Sequence, residues 1–278
     1  MSIIELNEEN ITEFGDIIDP DTAESIGREF YRGVAVRAGE DSPSGALIWE
    51  YKNLEDDSDT GAEIVFITAG NKEAAEELLS EFDGQTSGEA VVRSFFEMGD
   101  ISDDARKGFT DDGFSVTSGE SRDLFVSVSD LSGLAAKKKV PPKIVGLSDV
   151  TEAQFMQGVI NCLFNGKKGI MEDLEYIEKD WFEQDISAAV ITDGKISGFF
   201  LVHCFPSGKL MPVLLTAMGP DANVDLLYML CFSADRALKK YSGDTPVIIR
   251  RHNDTVGALA GKLFGQKTGK EAVFGERR

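Results

Sequence analysis

The chain has 278 residues, enough for two units that each bury a core of their own. Its 49 acidic against 28 basic residues give a net charge of -21, a field that repels phosphate backbones and anionic lipid and so argues against nucleic acid or a membrane as partner. Cys162, Cys204 and Cys231 are widely spaced in apolar surroundings, which fits reduced buried thiols better than a disulfide framework or a zinc site, and with only two histidines a histidine-rich metal centre is excluded. The apolar runs are too short for a bilayer and no basic-then-apolar leader opens the chain, so the cytoplasm is the expected location and no membrane span is expected.

In chain order, IIEL (3–6) suits a short strand, and Asn7 can cap a following helix by accepting a hydrogen bond from a free backbone N–H. GVAVRAGEDSPSGALIWEY (33–51) reads as two apolar strands around a turn of Gly, Asp and Ser. AEIVFITAG (62–70) is a continuous apolar run of the kind that suits a central strand covered on both faces. Ala74, Ala75, Leu78, Leu79 and Phe82 then recur at helical spacing, and EAVVRSFF (89–96) adds a strand. SDDARKGFTDDGF (102–114) is a short acidic helix that ends on Gly113, where a glycine turn delivers Phe114 into the core. LSGLAAKKKVPPK (131–143), with its lysine run and Pro-Pro, reads as a stiff exposed linker.

The same plan then repeats. IVGLSDVTEAQF (144–155) lies on IIELNEENITEF (3–14) at an offset of 141, with Ser148 in the capping place of Asn7. SAAVITDGKISGFFLVHC (187–204) matches the first hairpin, its Ser197-Gly198 falling 153 residues after Ser44-Gly45. LMPVLLTAMG (210–219) is the second central strand, followed by a helical stripe through Leu226, Leu230, Ala234, Ala237 and Tyr241. TPVIIRRH (245–252) and NDTVGALAGKLFG (253–265) complete the copy. The expected organisation is an N-terminal domain over 1–133, a linker over 134–143 and a C-terminal domain over 144–278.

This order of elements resembles the GCN5-related N-acetyltransferase (GNAT) family in tandem. Family members carry an Asn after the fifth strand, small residues on a helix, a Tyr seven positions beyond the Asn, and a closing Gly-Phe. The first copy has Ser102, Ala105, Phe109 and Gly113-Phe114 there; the second has Asn253, Ala260 in place of Tyr, and Phe264-Gly265 in place of Gly-Phe. The resemblance implies an α/β fold with a mixed sheet in each half, whose fourth and fifth strands part to admit the arm of acetyl-CoA or another acyl-CoA. It implies a small-molecule or peptide amine as acceptor, and pyrophosphate held on the N–H groups that open the next helix.

Neither copy has the family's phosphate loop. In the first, Glu73, Glu76 and Glu77 follow Gly70-Asn71 at once; in the second, Asp221 and Asp225 flank Gly219 and Asn223. Each such carboxylate costs about 1 kcal/mol or more against a phosphate in a partly screened site. The second loop is long enough to wrap an anion, so the resemblance places the cofactor on Leu215, Thr216, Ala217, Met218, Gly219, Asn223 and Asn253. Asn223 reads more readily as a helix cap, and Asn253 equally as a cap or as a cofactor contact. Glu63 stands on the first central strand, but Phe109 has no hydroxyl to act as acid, and His203 reads either as a base or as a satisfied strand histidine. No catalytic set assembles from the sequence. The two functional readings are an acyl-CoA-dependent N-acyltransferase with its cleft in the second half, and a lapsed pair that binds a small molecule or a protein; a third is a structural or oligomerising module. The acceptor, the acyl group and the oligomeric state are not legible.

Overall fold

The structure, a computed structural model, describes residues 1–39, 42–54, 59–99, 101–136, 139–165, 178–251, 254–265, 267 and 269–278, and of 254 and 255 the backbone. The strands in chain order are β1 (Ser2–Glu5), β2 (Tyr31–Arg37), β3 (Pro43–Asn53), β4 (Thr60–Ala69), β5 (Val91–Met98), β6 (Ser115–Glu120), β7 (Asp123–Ser127), β8 (Ile144–Gly146), β9 (Ala188–Thr192), β10 (Lys195–Cys204), β11 (Leu210–Ala217), β12 (Pro246–Arg250) and β13 (Glu271–Arg277). The helices are α1 (Pro20–Ala23), α2 (Lys72–Gly88), α3 (Asp103–Asp111), α4 (Ser132–Ala135), α5 (Glu152–Phe164), α6 (Ala222–Lys240) and α7 (Asp254–Phe264).

Two compact units result: Met1–Ser121 with Gly269–Arg278, and Arg122–Thr268. These borders differ from the expected 133 and 144, because each sheet takes a strand from the far part of the sequence. The first sheet runs β1-β2-β3-β4-β5-β13-β6, so the last strand of the chain sits between β5 and β6. The second runs β8-β9-β10-β11-β12-β7, with β7 antiparallel to β12. In both, the only parallel neighbours among the described strands are the two central ones, β4 with β5 and β11 with β12.

The repeat persists at the level of single atoms. Ser44 O accepts from Gly70 N at 2.8 Å, and Ser197 O accepts from Met218 N at 2.8 Å. Gly45 and Gly198 follow those serines, and a Cβ on either would lie 2.7 Å from the carbonyl of Thr68 or Thr216 respectively. Each central strand bulges once: Val65 is the extra residue of β4 opposite Ile48 and Trp49, and Val213 that of β11 opposite Leu201 and Val202. Pro212, which has no N–H for a ladder, is tolerated beside that bulge.

The copies differ at their first helix. Asn7 caps only a turn, accepting from Glu9 N and Asn10 N at 2.9 and 3.1 Å, and a four-residue 3₁₀ turn and the short α1 follow. Gly15, Pro20 and Gly27 interrupt that segment, whereas 152–164 has no proline and a single glycine, Gly158, which packs where a Cβ would meet Phe199 and Ile196, and it forms α5. The cap of α5 is Thr151, not Ser148: Thr151 and Gln154 form a reciprocal capping box, and Ser148 lies within a 3₁₀ turn over Leu147–Asp149. Phe114 is buried behind Gly113, whose φ is +87°. The segment expected as a linker is partly structured: 132–135 is α4, with Leu134 buried. No described helix is long and apolar enough to cross a membrane.

Candidate functional site

In the second unit β11 and β12 pair only at Leu210 and Val247, then part. Beside that parting, under α6 and α7, lies a cavity of about 140 Å³. Leu215 and Leu214 of β11, Ala234 of α6, and Leu259, Ala260 and Leu263 of α7 are among its walls. Among the described residues its polar lining is confined to Ser233 and Arg250, and the Arg250 guanidinium donates to both carboxylate oxygens of Asp123, at 3.1 and 3.3 Å.

The predicted residues at the end of β11 fall in two groups. Leu215 lines the cavity, Thr216 and Ala217 are buried at the end of the strand beside β10, and Met218 packs among Phe199, Leu201 and their neighbours on the sheet's other face. Gly219 is exposed, with φ of +94° and nothing within 4 Å of an added Cβ, so it turns the chain where a ligand could approach the backbone. Asn223 is exposed in the first turn of α6 and is not its cap; that place belongs to Asp221, whose side chain makes no capping bond. Asn253 lies outside the described residues.

Of the two carboxylates expected to repel phosphate, Asp225 is compensated, while Asp221 stands exposed at the start of α6. Asp225 is only 3% exposed, and its Oδ1 meets Lys143 Nζ at 2.7 Å. This contact holds the Lys143 ammonium above its ordinary range. Lys143, the last residue of the expected linker, thus removes an electrostatic objection to an anion at the start of α6.

The first unit uses its parting differently. β4 and β5 pair from Thr60–Val91 to Ile64–Phe96 and then diverge. Phe96 and Phe109 pack there with ring centres 4.2 Å apart, and Phe114 closes on Phe109 at 5.1 Å. At the start of α2, Asn71 Oδ1 accepts from Ala74 N at 2.9 Å, so the asparagine is spent as a cap. Glu63 and Glu50 lie side by side on the face away from α2, bridged by Lys52, which is 3.1 Å from Glu50 and in direct contact with Glu63. Burial alone would lower the Lys52 pKa, but the two carboxylates hold it above its ordinary value.

No family model matches the sequence, and no curated protein matches it. In three dimensions the chain is similar to a tandem GNAT protein from the clavulanic acid biosynthesis pathway, with a TM-score of 0.64 over 99% of this chain and 98% of that one, at 12% identity. The chain has the tandem GNAT fold. A GCN5-related N-acetyltransferase from Sphaerobacter thermophilus is similar at a TM-score of 0.54, 12% identity, and 99% and 95% coverage. So is the glucosamine N-acetyltransferase region of a fungal multi-domain β-N-acetylglucosaminidase, at a TM-score of 0.59 and 10% identity; the match covers 99% of this chain and 38% of that one.

Within this GNAT fold, the two residues at the place of the family's tyrosine are both interior. Phe109 is fully buried and Ala260 forms a cavity wall. His203 is 2% exposed, its Nδ1 is 2.9 Å from the Trp181 carbonyl, and its ring stacks on the indole at 3.8 Å, so it is a packed strand residue. The three cysteines carry no disulfide, and Cys162 and Cys231 are buried. Among the described wall residues only Leu215 belongs to the sequence-based set, and three of the others carry a signal in the sequence. Leu131 and Leu134 fall in the segment expected as a linker, although Val128, Leu131 and Leu134 recur at helical spacing, and Ser233 is the polar member of the apolar stripe that runs through Leu230, Ala234 and Ala237.

Proposed function

We propose that the second unit binds an acyl-CoA and transfers its acyl group to an amine, while the first unit is structural. The observation that carries this reading is the contrast between the two partings: an open apolar cavity beside β11 and β12, against the packed phenylalanines beside β4 and β5. The acyl end would enter the cavity, the arm would run along Leu215–Met218, and the pyrophosphate would meet the backbone at Gly219–Asn223. The chemistry asked of the protein is then mainly positioning of thioester and amine, with water kept from the apolar chamber. The similarity in fold to a tandem GNAT protein and to a GCN5-related N-acetyltransferase supports the choice of cofactor.

A second reading, a binding module without turnover, is favoured by one observation: among the described wall residues none is a carboxylate, imidazole, thiol or phenol that could move a proton. Calorimetric titration with acetyl-CoA, joined to release of free thiol in the presence of a panel of amines, separates the two. Saturable binding with thiol release supports transfer; binding with no release for any amine supports the module. Gly219→Glu, which adds a strained side chain and a charge, should abolish the binding; unchanged affinity would remove the cofactor from this loop.

A further inference from the structure

The acyl-transfer reading leaves the acyl group open, and the dimensions of the cavity bear on it; any assignment of that group rests on the reading. A chamber of about 140 Å³ with aliphatic walls is close to the size that stays dry when empty and takes about six carbon atoms. An acetyl group would occupy about a third of that carbon count. Leu131 and Leu134, at and within α4, form one wall and Leu259, Leu263 and Phe264 of α7 another, so the chamber is apolar across elements far apart in sequence.

One atom breaks this pattern. Ser233 is 4% exposed and lines the cavity, and its Oγ has no hydrogen-bond partner among the described residues. A helical serine ordinarily turns its hydroxyl back to the carbonyl four residues earlier, here that of Met229, and this one does not. A buried hydroxyl without a partner is costly in a folded protein, and the other polar wall residue, Arg250, is already engaged by Asp123. Among the described wall side chains, Ser233 is thus the one whose polar atom is buried without a partner beside an otherwise hydrocarbon space.

We propose that the second unit takes an acyl thioester whose chain has about six carbons rather than two, the chain filling the cavity and Ser233 Oγ–H donating to the thioester carbonyl oxygen. In the transfer this serves, the amine nitrogen bonds to the carbonyl carbon, the carbon–sulfur bond breaks, and the departing thiolate takes up the proton released by the nitrogen.

The test is calorimetric titration of the full chain with CoA, acetyl-CoA, hexanoyl-CoA and free hexanamide. Hexanoyl-CoA should bind at least tenfold more tightly than acetyl-CoA. Ser233→Ala should raise the unfolding temperature, because it removes a stranded hydroxyl, yet weaken hexanoyl-CoA several-fold and leave CoA unchanged. Ala260→Phe, which fills the chamber, should erase the preference for the longer chain. Acetyl-CoA binding as tightly as hexanoyl-CoA would overturn the chain-length proposal and leave acyl transfer standing. If no CoA species binds but hexanamide binds the wild type and not Ala260→Phe, the six-carbon chamber stands and the acyl-CoA reading falls. If hexanamide fails as well, both fall.

Discussion

At the scale of the residue, the contact that decides how the first unit closes is Gly275 against Phe96. They face each other across β13 and β5, and a Cβ on Gly275 would come within 2.0 Å of the Phe96 ring. Gly275→Ala should therefore destabilise that unit by about 1–3 kcal/mol, as over-packing does. Removing the ring in a Gly275→Ala/Phe96→Ala double variant should give a loss smaller than the sum of the two, read by urea unfolding; strict additivity would contradict the contact. Two residues on, Arg277 bonds to Asp83 of α2 and Asp112 at the end of α3, with its guanidinium 4.6 Å from the Phe114 ring centre. Burial, with the neighbouring Asp83 charge, pushes the Asp112 carboxyl from 3.8 to about 6, although Arg277 pulls it down. A raised acid stabilises while it is protonated: the contribution is complete below about pH 4 and is lost as pH rises through about 6. Asp112→Asn should flatten the stability profile of the first unit across that window, and a profile unchanged in shape would contradict it. In the second unit, Lys143→Ala would leave the buried Asp225 charge without its partner, which should cost about 1–3 kcal/mol and weaken any acyl-CoA affinity together; a loss of stability without a loss of affinity would place the pair away from the ligand. Gly113 and Phe114 were legible in the sequence because a turn and a core residue are local facts. The need for glycine at 275 was not, because the ring that imposes it sits on a strand remote in the chain.

At the scale of the element, the hairpins and both central strands were readable, since two-residue alternation, turn formers and apolar runs are written within each segment. The pairing partners were not. A strand pattern at 123–127 or 271–277 says that the segment pairs, not with what, and both go to the sheet that sequence proximity does not suggest. The helix expected after Asn7 shrinks to turns because Gly15, Pro20 and Gly27 outweigh the cap, and α4 was hidden because the neighbouring lysines and prolines dominate the composition. A chain stopped after Thr268 should lose the first unit selectively, since β5 and β6 would be left without the strand that joins them. The expected result is loss of protected amides over β5 and β6 with the β9 to β11 amides retained; full protection in both would show that β13 is dispensable.

At the scale of the whole molecule, the duplication set down two copies of one unit, and their later histories can be followed through packing. The first copy filled its parting with Phe96, Phe109 and Phe114, while the second kept a chamber and paired one of the two carboxylates beside its loop, Asp225, with Lys143. The candidate loop was legible because a glycine-containing turn between an apolar strand and a helix is a local signal. The chamber was not, because its walls come from several helices and strands whose convergence only the fold reveals. The division of labour between the copies is tested most directly by hydrogen–deuterium exchange with and without an acyl-CoA at saturating concentration. A cofactor held by the second copy alone should add protection at Leu215–Asn223 and in α7, and none at 65–74. Protection at 65–74, or none in either unit, would contradict that division.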